Sequence, residues 1–227
     1  VYTYTLTGAD ADVGDTLTMS GTTVPSWLTF TASTGVLTGT PTNDNVGTTG
    51  NAVVLTITDA AGESVTDSFT ITVANTNDAP SFSSSPVLTA QEDDVYTYTA
   101  VGTDMDAGDT FTLGSSSVPS WLTFTASTGV LTGTPTNSDV GSHSVTLTVT
   151  DAAGATGTQT FTITVSNAND APTVTSTAVT SATEDSVYTY TLTVSDADVG
   201  DTLTMAGTTV PSWLTFTAST GVLTGTP

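Results

Sequence analysis

The chain is distinguished first by the side chains that it does not contain. It has no lysine, no arginine and no cysteine, against 22 Asp and Glu residues, so its formal net charge is −22. Proteins bind nucleic acids largely by placing cationic side chains against phosphates, which excludes a nucleic-acid partner, and anionic lipid surfaces are disfavoured for the same reason. The lack of cysteine excludes a disulfide scaffold. The charge therefore favours cations as partners.

Groups that usually perform catalysis are equally scarce. A nucleophile paired with a base normally needs His, Lys or a thiol, and the single histidine, His143, lies in a GSHS segment whose first copy has no His. We therefore interpret His143 as a surface residue. Paired carboxylates could serve a glycosidase, but here they fall at predicted domain ends. We predict that the chain is not an enzyme. No apolar run approaches the ~20 residues that cross a bilayer, so direct membrane insertion is not expected.

What the chain does contain is an internal repeat. The segment PSWLTFTASTGVLTGTP occurs three times, VYTYT begins at Val1, Val95 and Val187, and NDAP closes a unit at Pro80 and Pro172. This frame predicts a first repeat over 1–80 that lacks its opening strand, a complete second repeat over 81–172, and the first half of a third over 173–227. Both ends fall inside a repeat, so we expect further repeats on either side.

Each repeat has the pattern of a β-sandwich. Apolar residues alternate with Thr, as at Val145, Leu147 and Val149, and Gly, Pro, Asn and Asp separate the runs. In the complete repeat we predict strands near 82–90, 95–101, 110–114, 121–124, 129–133, 145–150 and 158–166. About seven short strands in ~90 residues are typical of an immunoglobulin-like sandwich. The fold class is therefore all-β, with tandem immunoglobulin-like sandwiches joined head to tail as a rod.

Two features of these strands leave alternatives open. Threonine fills most outward positions, where it forms an uncharged, soluble sheet surface or a substrate for O-glycosylation. Trp27, Trp121 and Trp213 recur in the PSWL segments, where each is interpreted as a core residue, with an exposed sugar-stacking platform as the alternative.

The acidic residues lie at strand ends and recur at matching offsets. In a sandwich, alternate loops share one end, so the DxDxGD and TDAAG loops of one repeat should meet the Glu-Asp turn, the PTN loop and the NDAP exit of its neighbour. The candidate ligands are Asp10, Asp12, Asn45, Asp59, Asn75, Asn77, Asp78, Glu92, Asp104, Asp106, Asp139, Asp151, Asn167, Asn169, Asp170, Asp196 and Asp198.

Such a convergence of oxygens predicts a calcium site at each junction. Calcium takes six to eight oxygen ligands and tolerates irregular geometry, whereas zinc or copper would need Cys or His. Salt bridges cannot neutralise the carboxylates, because the chain has no Lys or Arg. The alternative is that these Asp and Asn residues serve only as turn formers. The pattern is not an EF-hand, since DADVGD lacks the required Gly, the closing Glu and the flanking helices.

At these residues the chain resembles the cadherin superfamily, in particular the dystroglycan-type cadherin-like and immunoglobulin-like repeats of large bacterial surface proteins. NTNDAPSF at 75–82 is close to the cadherin linker DxNDNAPxF, with one residue missing. DAD or DMD at Asp10, Asp104 and Asp196 matches the cadherin DxD, and TVTDAAG at Asp151 is similar to its AxDxG segment. Glu92 and Glu184 resemble the early glutamate ligand, and Asp139 falls near the Asp-Arg-Glu motif, although the Arg is absent. The resemblance implies a calcium-stiffened rod used in adhesion or in an extracellular matrix.

The function predicted from the sequence is therefore structural. We expect a calcium-rigidified repeat array in the stalk of an extracellular adhesin or in a surface filament. The expected partners are calcium ions and neighbouring repeats of the same chain, with copies of itself or cell-surface glycans as further candidates. The alternative is a carbohydrate-binding or accessory region of a secreted polysaccharide-acting protein.

Overall fold

A computed structural model describes residues 1–227, and nearly all of its regular structure is β-strand. The strands of the first repeat alternate inward apolar and outward Thr residues, and this alternation gives each strand one packed and one wet face. These strands are β1 Tyr2–Thr5, β2 Thr18–Thr23, β3 Leu28–Thr31, β4 Val36–Gly39, β5 Ala52–Thr58 and β6 Ser64–Thr70. They form two antiparallel three-stranded sheets with the orders β1-β4-β3 and β2-β5-β6.

The second repeat has more and longer strands. They are β7 Ser81–Phe82, β8 Thr89–Gln91, β9 Tyr96–Thr99, β10 Gly102–Thr103, β11 Phe111–Ser117, β12 Leu122–Thr125, β13 Val130–Gly133, β14 Gly141–Asp151 and β15 Thr156–Ser166. The sheets have the orders β12-β13-β9, β10-β7 and β11-β14-β15-β8. We call the paired long strands, β5–β6 and β14–β15, the late hairpin of the first and of the second repeat.

The third repeat carries β16 Thr173–Val174, β17 Tyr188–Thr191, β18 Val194–Ser195, β19 Leu214–Thr217 and β20 Val222–Gly225. A single 3-10 turn follows the fourth core strand of the first two repeats, at Asn43–Asn45 and Asn137–Asp139. No helix in the structure is long and apolar enough to cross a membrane. The prediction of an all-β chain is confirmed by this architecture.

By its internal contacts the chain forms two compact units. The first comprises Val1–Ser83, Val101–Gly114 and Thr148–Thr158, and the second comprises Ser84–Ala100, Ser115–Leu147 and Gln159–Pro227. The boundary runs through the second repeat. The residues that join the first repeat to the second therefore lie in the first unit, and those that join the second to the third lie in the second unit.

The prediction of one continuous first strand over 82–90 in the second repeat is wrong. The structure divides it into β7, which pairs antiparallel with β10, and β8, which pairs parallel with β15, so that Ala90 lies opposite Val165. Pro86 lies between them. Proline has no backbone N–H to donate to a ladder and disfavours a central strand position, which accounts for the break.

Apolar side chains from both sheets form the core of the first repeat. The buried members are Leu6, Leu28, Leu37, Val53, Leu55 and Ile57, and Trp27 packs partly buried against them. Tyr2 meets Trp27 edge to face at a centroid distance of 6.0 Å, and the same pair recurs as Tyr96 with Trp121 at 5.9 Å. The tryptophans are thus half-buried packing residues.

The opening segment of a repeat covers one edge of its core. In the second repeat the hydroxyl of Tyr96 donates to the carbonyl of Val87 at 2.8 Å, and both Tyr96 and Ile163 are buried. Their first-repeat counterparts, Tyr2 and Ile71, are only half-buried and line an open groove with Val1, Trp27 and Pro41. The groove lies where β8 packs in the second repeat.

The interpretation of His143 as a surface residue is wrong. Its ring is half-buried, meets Trp121 edge to face at 5.8 Å, and its Nε2 lies 2.5 Å from the carbonyl oxygen of Asp139. A carbonyl can only accept, so Nε2 carries the hydrogen and donates it. His143 stands two positions before the buried Val145, and that register places it at the inner face of β14.

Candidate metal centre at the repeat junctions

The DxDxGD loop after the first core strand is built as a local turn. The amide of Asp106 donates to Asp104 Oδ1 at 2.9 Å, and the amide of Asp198 donates to Asp196 Oδ1 at 3.1 Å. Short carboxylate side chains commonly close such turns onto their own backbone. Because the first carboxylate of each pair is fixed in this way, the second, Asp106 or Asp198, is held at a defined place and is buried.

At the first junction the linker crosses the loop of the second repeat. The amide of Asp78 donates to Asp106 Oδ2 at 2.7 Å, and Asn77 Nδ2 donates to Asp151 Oδ2 at 2.8 Å. From the first repeat, Asn43 Nδ2 donates to Asp78 Oδ2 at 2.7 Å. These three bonds join the 3-10 turn of one repeat, the linker and the loops of the next repeat.

Several carboxylate oxygens at this junction have no donor. Asp104 Oδ2 and Asp106 Oδ1 are both buried without a hydrogen-bond partner, and Asp104, Asp109 and Asp151 bring oxygens within 4.8 Å of one another. The side-chain amide of Asn77 is the largest cause that lowers the pKa of Asp151, and burial opposes it. Three carboxylates at this separation repel one another unless a cation lies among them.

The second junction repeats the arrangement. The amide of Asp170 donates to Asp198 Oδ2 at 2.7 Å, Asn167 Nδ2 donates to Asp198 Oδ1 at 2.9 Å, and Asn137 Nδ2 donates to Asp170 Oδ2 at 2.6 Å. Asp196, Asp198 and Asp201 again bring oxygens within 4.8 Å of one another. Two of these bonds, from the linker amide and from the turn asparagine, are the same at both junctions, whereas the bond from Asn167 is not, because Asp106 Oδ1 has no partner at the first junction.

Glu92 places a buried carboxylate without a hydrogen-bond partner at the second junction. Its side chain is 1% exposed, neither oxygen has a hydrogen-bond partner, and the carboxylate lies within 4.8 Å of those of Asp170 and Asp198. Burial is the main cause that raises the pKa of Glu92. The backbone N–H of Ala168, which lies near the carboxylate but makes no hydrogen bond of acceptable geometry to it, is the next cause and lowers the pKa, and the carboxylates of Asp170, Asp198 and Asp93 raise it. A buried ionised carboxylate without a partner is strongly unfavourable, and its charge is relieved either by protonation or by a cation bound beside it.

Each junction in this sequence contains part of a common set. By the repeat spacing, the counterpart of Glu92 at the first junction falls before Val1, and the counterpart of Asp151 at the second falls after Pro227. Superimposed, the two junctions offer a glutamate, the DxDxGD carboxylates, the late-hairpin aspartate and the linker Asn and Asp residues. All of these are hard oxygen donors, the kind that calcium and magnesium take.

The remaining predicted ligands are placed differently. Asn45 Oδ1 accepts from the Thr42 amide at 2.8 Å, and Asp139 Oδ2 accepts from the Thr136 amide at 2.9 Å. This Thr136 amide is the largest cause that lowers the pKa of Asp139. Both side chains therefore cap their own 3-10 turn.

The other predicted ligands lie at the linkers and in the DxDxGD and TDAAG loops of the first repeat. Asn75 is exposed, and Asn169 Nδ2 donates to the carbonyl of Asp170 at 2.8 Å. Asp10 and Asp59 cluster with Asp15 within 4.8 Å. Asp12 is exposed, whereas its counterparts Asp106 and Asp198 are buried under a linker.

Residues outside the predicted ligand set also take part in the junctions. Asn43 and Asn137 hold the linker aspartates, and Asp15, Asp109 and Asp201 complete the acidic clusters. In the sequence, only the repetition of the PTN and DxDxGD motifs could have identified these residues. That repetition does not indicate which Asn of the turn faces the linker.

The chain matches a family of known sequence throughout its repeats. The family described as "Putative Ig domain" matches residues 1–74, 79–166 and 171–227. Among curated proteins, the "Serine-rich adhesin for platelets" of Staphylococcus aureus is 33% identical over 155 residues, which is 66% of this chain and 6% of the relative. Its counterpart in strain MRSA252 is 32% identical over the same length, covering 10% of the relative. The chain thus spans only a small part of these proteins.

Solved structures show the same fold at low sequence identity. Cadherin domains 1–5 of protocadherin gamma B2 match with a TM-score of 0.57 and 15% identity, covering 92% of this chain and 46% of that one. The extracellular domain of protocadherin GammaB4 matches with a TM-score of 0.55 and 18% identity, covering 92% of this chain and 39% of that one. The cadherin-like, immunoglobulin-like fold class is confirmed, and the chain belongs to the "Putative Ig domain" family.

Proposed function

We propose that the chain is a non-catalytic segment of an extracellular adhesin stalk or surface filament, in which calcium at each junction fixes one repeat against the next. The observation that carries the proposal is Glu92, a buried carboxylate without a hydrogen-bond partner beside Asp170 and Asp198. Since the chain has no lysine or arginine, no side chain of fixed positive charge can neutralise this group. A divalent ion would do so and would join both repeats.

Calcium fits the donors better than other common ions. Carboxylate and amide oxygens suit calcium and magnesium, and the irregular set from two loops and a linker suits the flexible coordination of calcium more than the strict octahedron of magnesium. Dissociation constants of about 10⁻⁴ to 10⁻³ M are usual for extracellular calcium modules. We expect this range here, which places calcium control outside the cell.

The adhesin setting is supported by the relatives. The curated proteins that match are named as adhesins for platelets, and the chain is one stretch of repeats similar to a part of them. The aromatic side chains favour a structural role over glycan binding, because Trp27, Trp121 and Trp213 each pack edge to face on a tyrosine. We propose that repeats of this type extend an adhesive region away from a surface.

Calcium titration of the whole chain tests the proposal. Isothermal titration and small-angle scattering should show millimolar or tighter binding and a narrower distribution of chain dimensions with calcium than with EDTA. The Asp104→Asn and Asp106→Asn double variant should lose binding at the first junction while the circular dichroism of the sandwiches is retained. Asp67→Asn, which lies away from the junction on β6, is the matched control. Identical scattering with calcium and with EDTA in the wild type would refute calcium stiffening.

A further inference from the structure

The 3-10 turn that holds each linker is itself held from below by one polar core residue. In the first repeat this residue is Asn51, which is 1% exposed. Its Nδ2 donates to the carbonyl oxygens of Asn45 at 2.8 Å and Gly47 at 3.1 Å, and its Oδ1 accepts from Trp27 Nε1 at 2.9 Å. Asn51 thus connects the core tryptophan to the turn that carries Asn43.

This connection continues to the junction. Asn43 Nδ2 donates to Asp78 Oδ2 at 2.7 Å, and the amide of Asp78 donates to Asp106 Oδ2 at 2.7 Å. A series of hydrogen bonds therefore runs from Trp27 in the core of one repeat to the aspartate loop of the next. Every step is a bond of ordinary length.

His143 takes the same place in the second repeat. Each residue stands two positions before the first buried valine of the late hairpin, Val53 or Val145. Nε2 of His143 holds the turn through the Asp139 carbonyl, and Asn137 and Asp170 continue to Asp198 as in the first repeat. Trp121 Nε1, however, is buried without a partner.

The histidine does not complete the connection, because its second ring nitrogen accepts no hydrogen bond from Trp121 Nε1. A neutral imidazole has one donor and one acceptor on opposite sides of a rigid ring, whereas the asparagine amide has two donor hydrogens and an acceptor on one planar group. Here the imidazole ring contacts Trp121 edge to face, and its N–H donates to the carbonyl oxygen of Asp139. The turn is left with one bond from below instead of two, and the tryptophan is not joined to it.

We infer that this core position is a positioning residue for the following junction, with asparagine giving a more ordered calcium site than histidine. The inference rests on the proposed function, since it concerns how well the turn pre-orders the linker carboxylate. An ion binds more weakly when its competent arrangement is only partly populated, in proportion to that population. The calcium affinity of each junction would then depend on whether the preceding repeat has asparagine or histidine at this position.

The test replaces His143→Asn in the full chain. We expect the new amide to accept from Trp121 Nε1 and to donate to the Asp139 carbonyl, and the calcium dissociation constant of the second junction to fall by about threefold or more, the effect of one added hydrogen bond of ordinary strength. Nuclear magnetic resonance separates the sites, with the Gly200 amide reporting the second junction and the Gly108 amide the first. Ser144→Asn, exposed on the same strand, is the matched control.

A purely structural role predicts a different result. A change of core packing alone would shift the melting temperature of the second repeat but leave unchanged the calcium dissociation constant that the Gly200 amide reports for the second junction. That outcome would overturn the inference. The reverse variant, Asn51→His, should weaken the first junction alone. An equal change at both junctions would also overturn it.

The experiment distinguishes this inference from the proposed function. If the wild type binds no calcium at all, the proposed function fails. Hydrogen exchange of the Asp170 amide, which bonds to Asp198, then tests the positioning role without metal. Slower exchange in His143→Asn supports it, and unchanged exchange refutes it.

Discussion

Replacing Glu92→Gln should raise the melting temperature of the second repeat in EDTA and lower it in calcium, each relative to the wild type. Without calcium the buried carboxylate has no hydrogen-bond partner and faces Asp170 and Asp198, so removing its charge should raise the melting temperature of the second repeat. Under the proposed function the same carboxylate becomes a ligand when calcium is present, so the variant should gain less from the ion and melt below the wild type. A residue that only fills space would not produce this reversal.

The size of the calcium effect follows from mass action. At a concentration 100 times its dissociation constant, an ion stabilises the folded state by about 2.7 kcal/mol. For a repeat of this size, about 1 kcal/mol corresponds to roughly 4–8 °C in melting temperature, so the wild type should gain on the order of 10–20 °C. The variant reduces the close carboxylates from the three that cluster here to two, and most of that gain should be lost.

Acidification gives a second measure of the same group. Burial holds the folded pKa of Glu92 above its ordinary value of 4.5. Its stabilising contribution is therefore complete below about pH 4.5 and is lost as the pH rises through the folded pKa. In EDTA the wild type should become more stable between pH 7 and 4.5, and the variant should lack this slope. The pKa values of Asp139 and Asp151 are lowered in the folded protein, so these two groups stabilise the fold above their ordinary pKa of 3.8. That stabilisation is lost as the pH falls below this value.

Differential scanning calorimetry with calcium and with EDTA measures these changes. The matched control is Glu184→Gln, because Glu184 occupies the same motif in the third repeat but is exposed. It should change neither melting temperature nor the pH slope. If Glu92→Gln lowers the melting temperature in both buffers, the carboxylate is not poised for a cation and the reasoning is refuted.

Two further predictions concern the sandwich. Leu131 is fully buried, so Leu131→Ala should cost about 2–5 kcal/mol in urea unfolding of the second repeat, whereas Leu223→Ala, at the half-buried counterpart, should cost clearly less; equal losses would contradict the described core. In a polypeptide of residues 1–227, a synthetic peptide of residues 83–94 should bind the groove that Tyr2 and Ile71 line in the first repeat and stabilise that repeat by about 1.4 kcal/mol at ten times the peptide's dissociation constant, and a scrambled peptide should not. Equal effects of both peptides would show that the groove does not recognise the strand.

The sequence predicts most of the fold because its alternation is regular. Val145, Leu147 and Val149 are all fully buried, as their spacing requires on one face of a strand. The opening strand is predicted as one piece because residues 82–90 contain no Gly, Asn or Asp to mark an interruption, and Pro86 alone does not reveal that the chain changes sheets there. The pairing of β8 with β15 is a contact between distant residues, and no local pattern encodes it.

The candidate site is less accessible to sequence reasoning. Repetition of DxD, Glu-Asp and NDAP identifies the ends that carry carboxylates, but the choice of oxygen depends on local turns. Asn45 and Asp139 cap their own turn, while Asn43 and Asn137 face the linker, and both sets have the same residue chemistry. Whether the predicted ligands bind an ion stays a prediction.

The pairing of β8 with β15 has a consequence under mechanical load. The chain enters the second repeat ahead of β8 and leaves it after β15, and these strands run parallel, with Thr89, Ala90 and Gln91 opposite Thr164, Val165 and Ser166. A pull on the two ends drags neighbouring strands past each other, so their hydrogen bonds carry the force together. An antiparallel pair loaded from one end would open bond by bond. Beyond the two-residue pair of β7 with β10, tension along the proposed stalk would thus load this repeat in shear, the loading geometry that resists rupture.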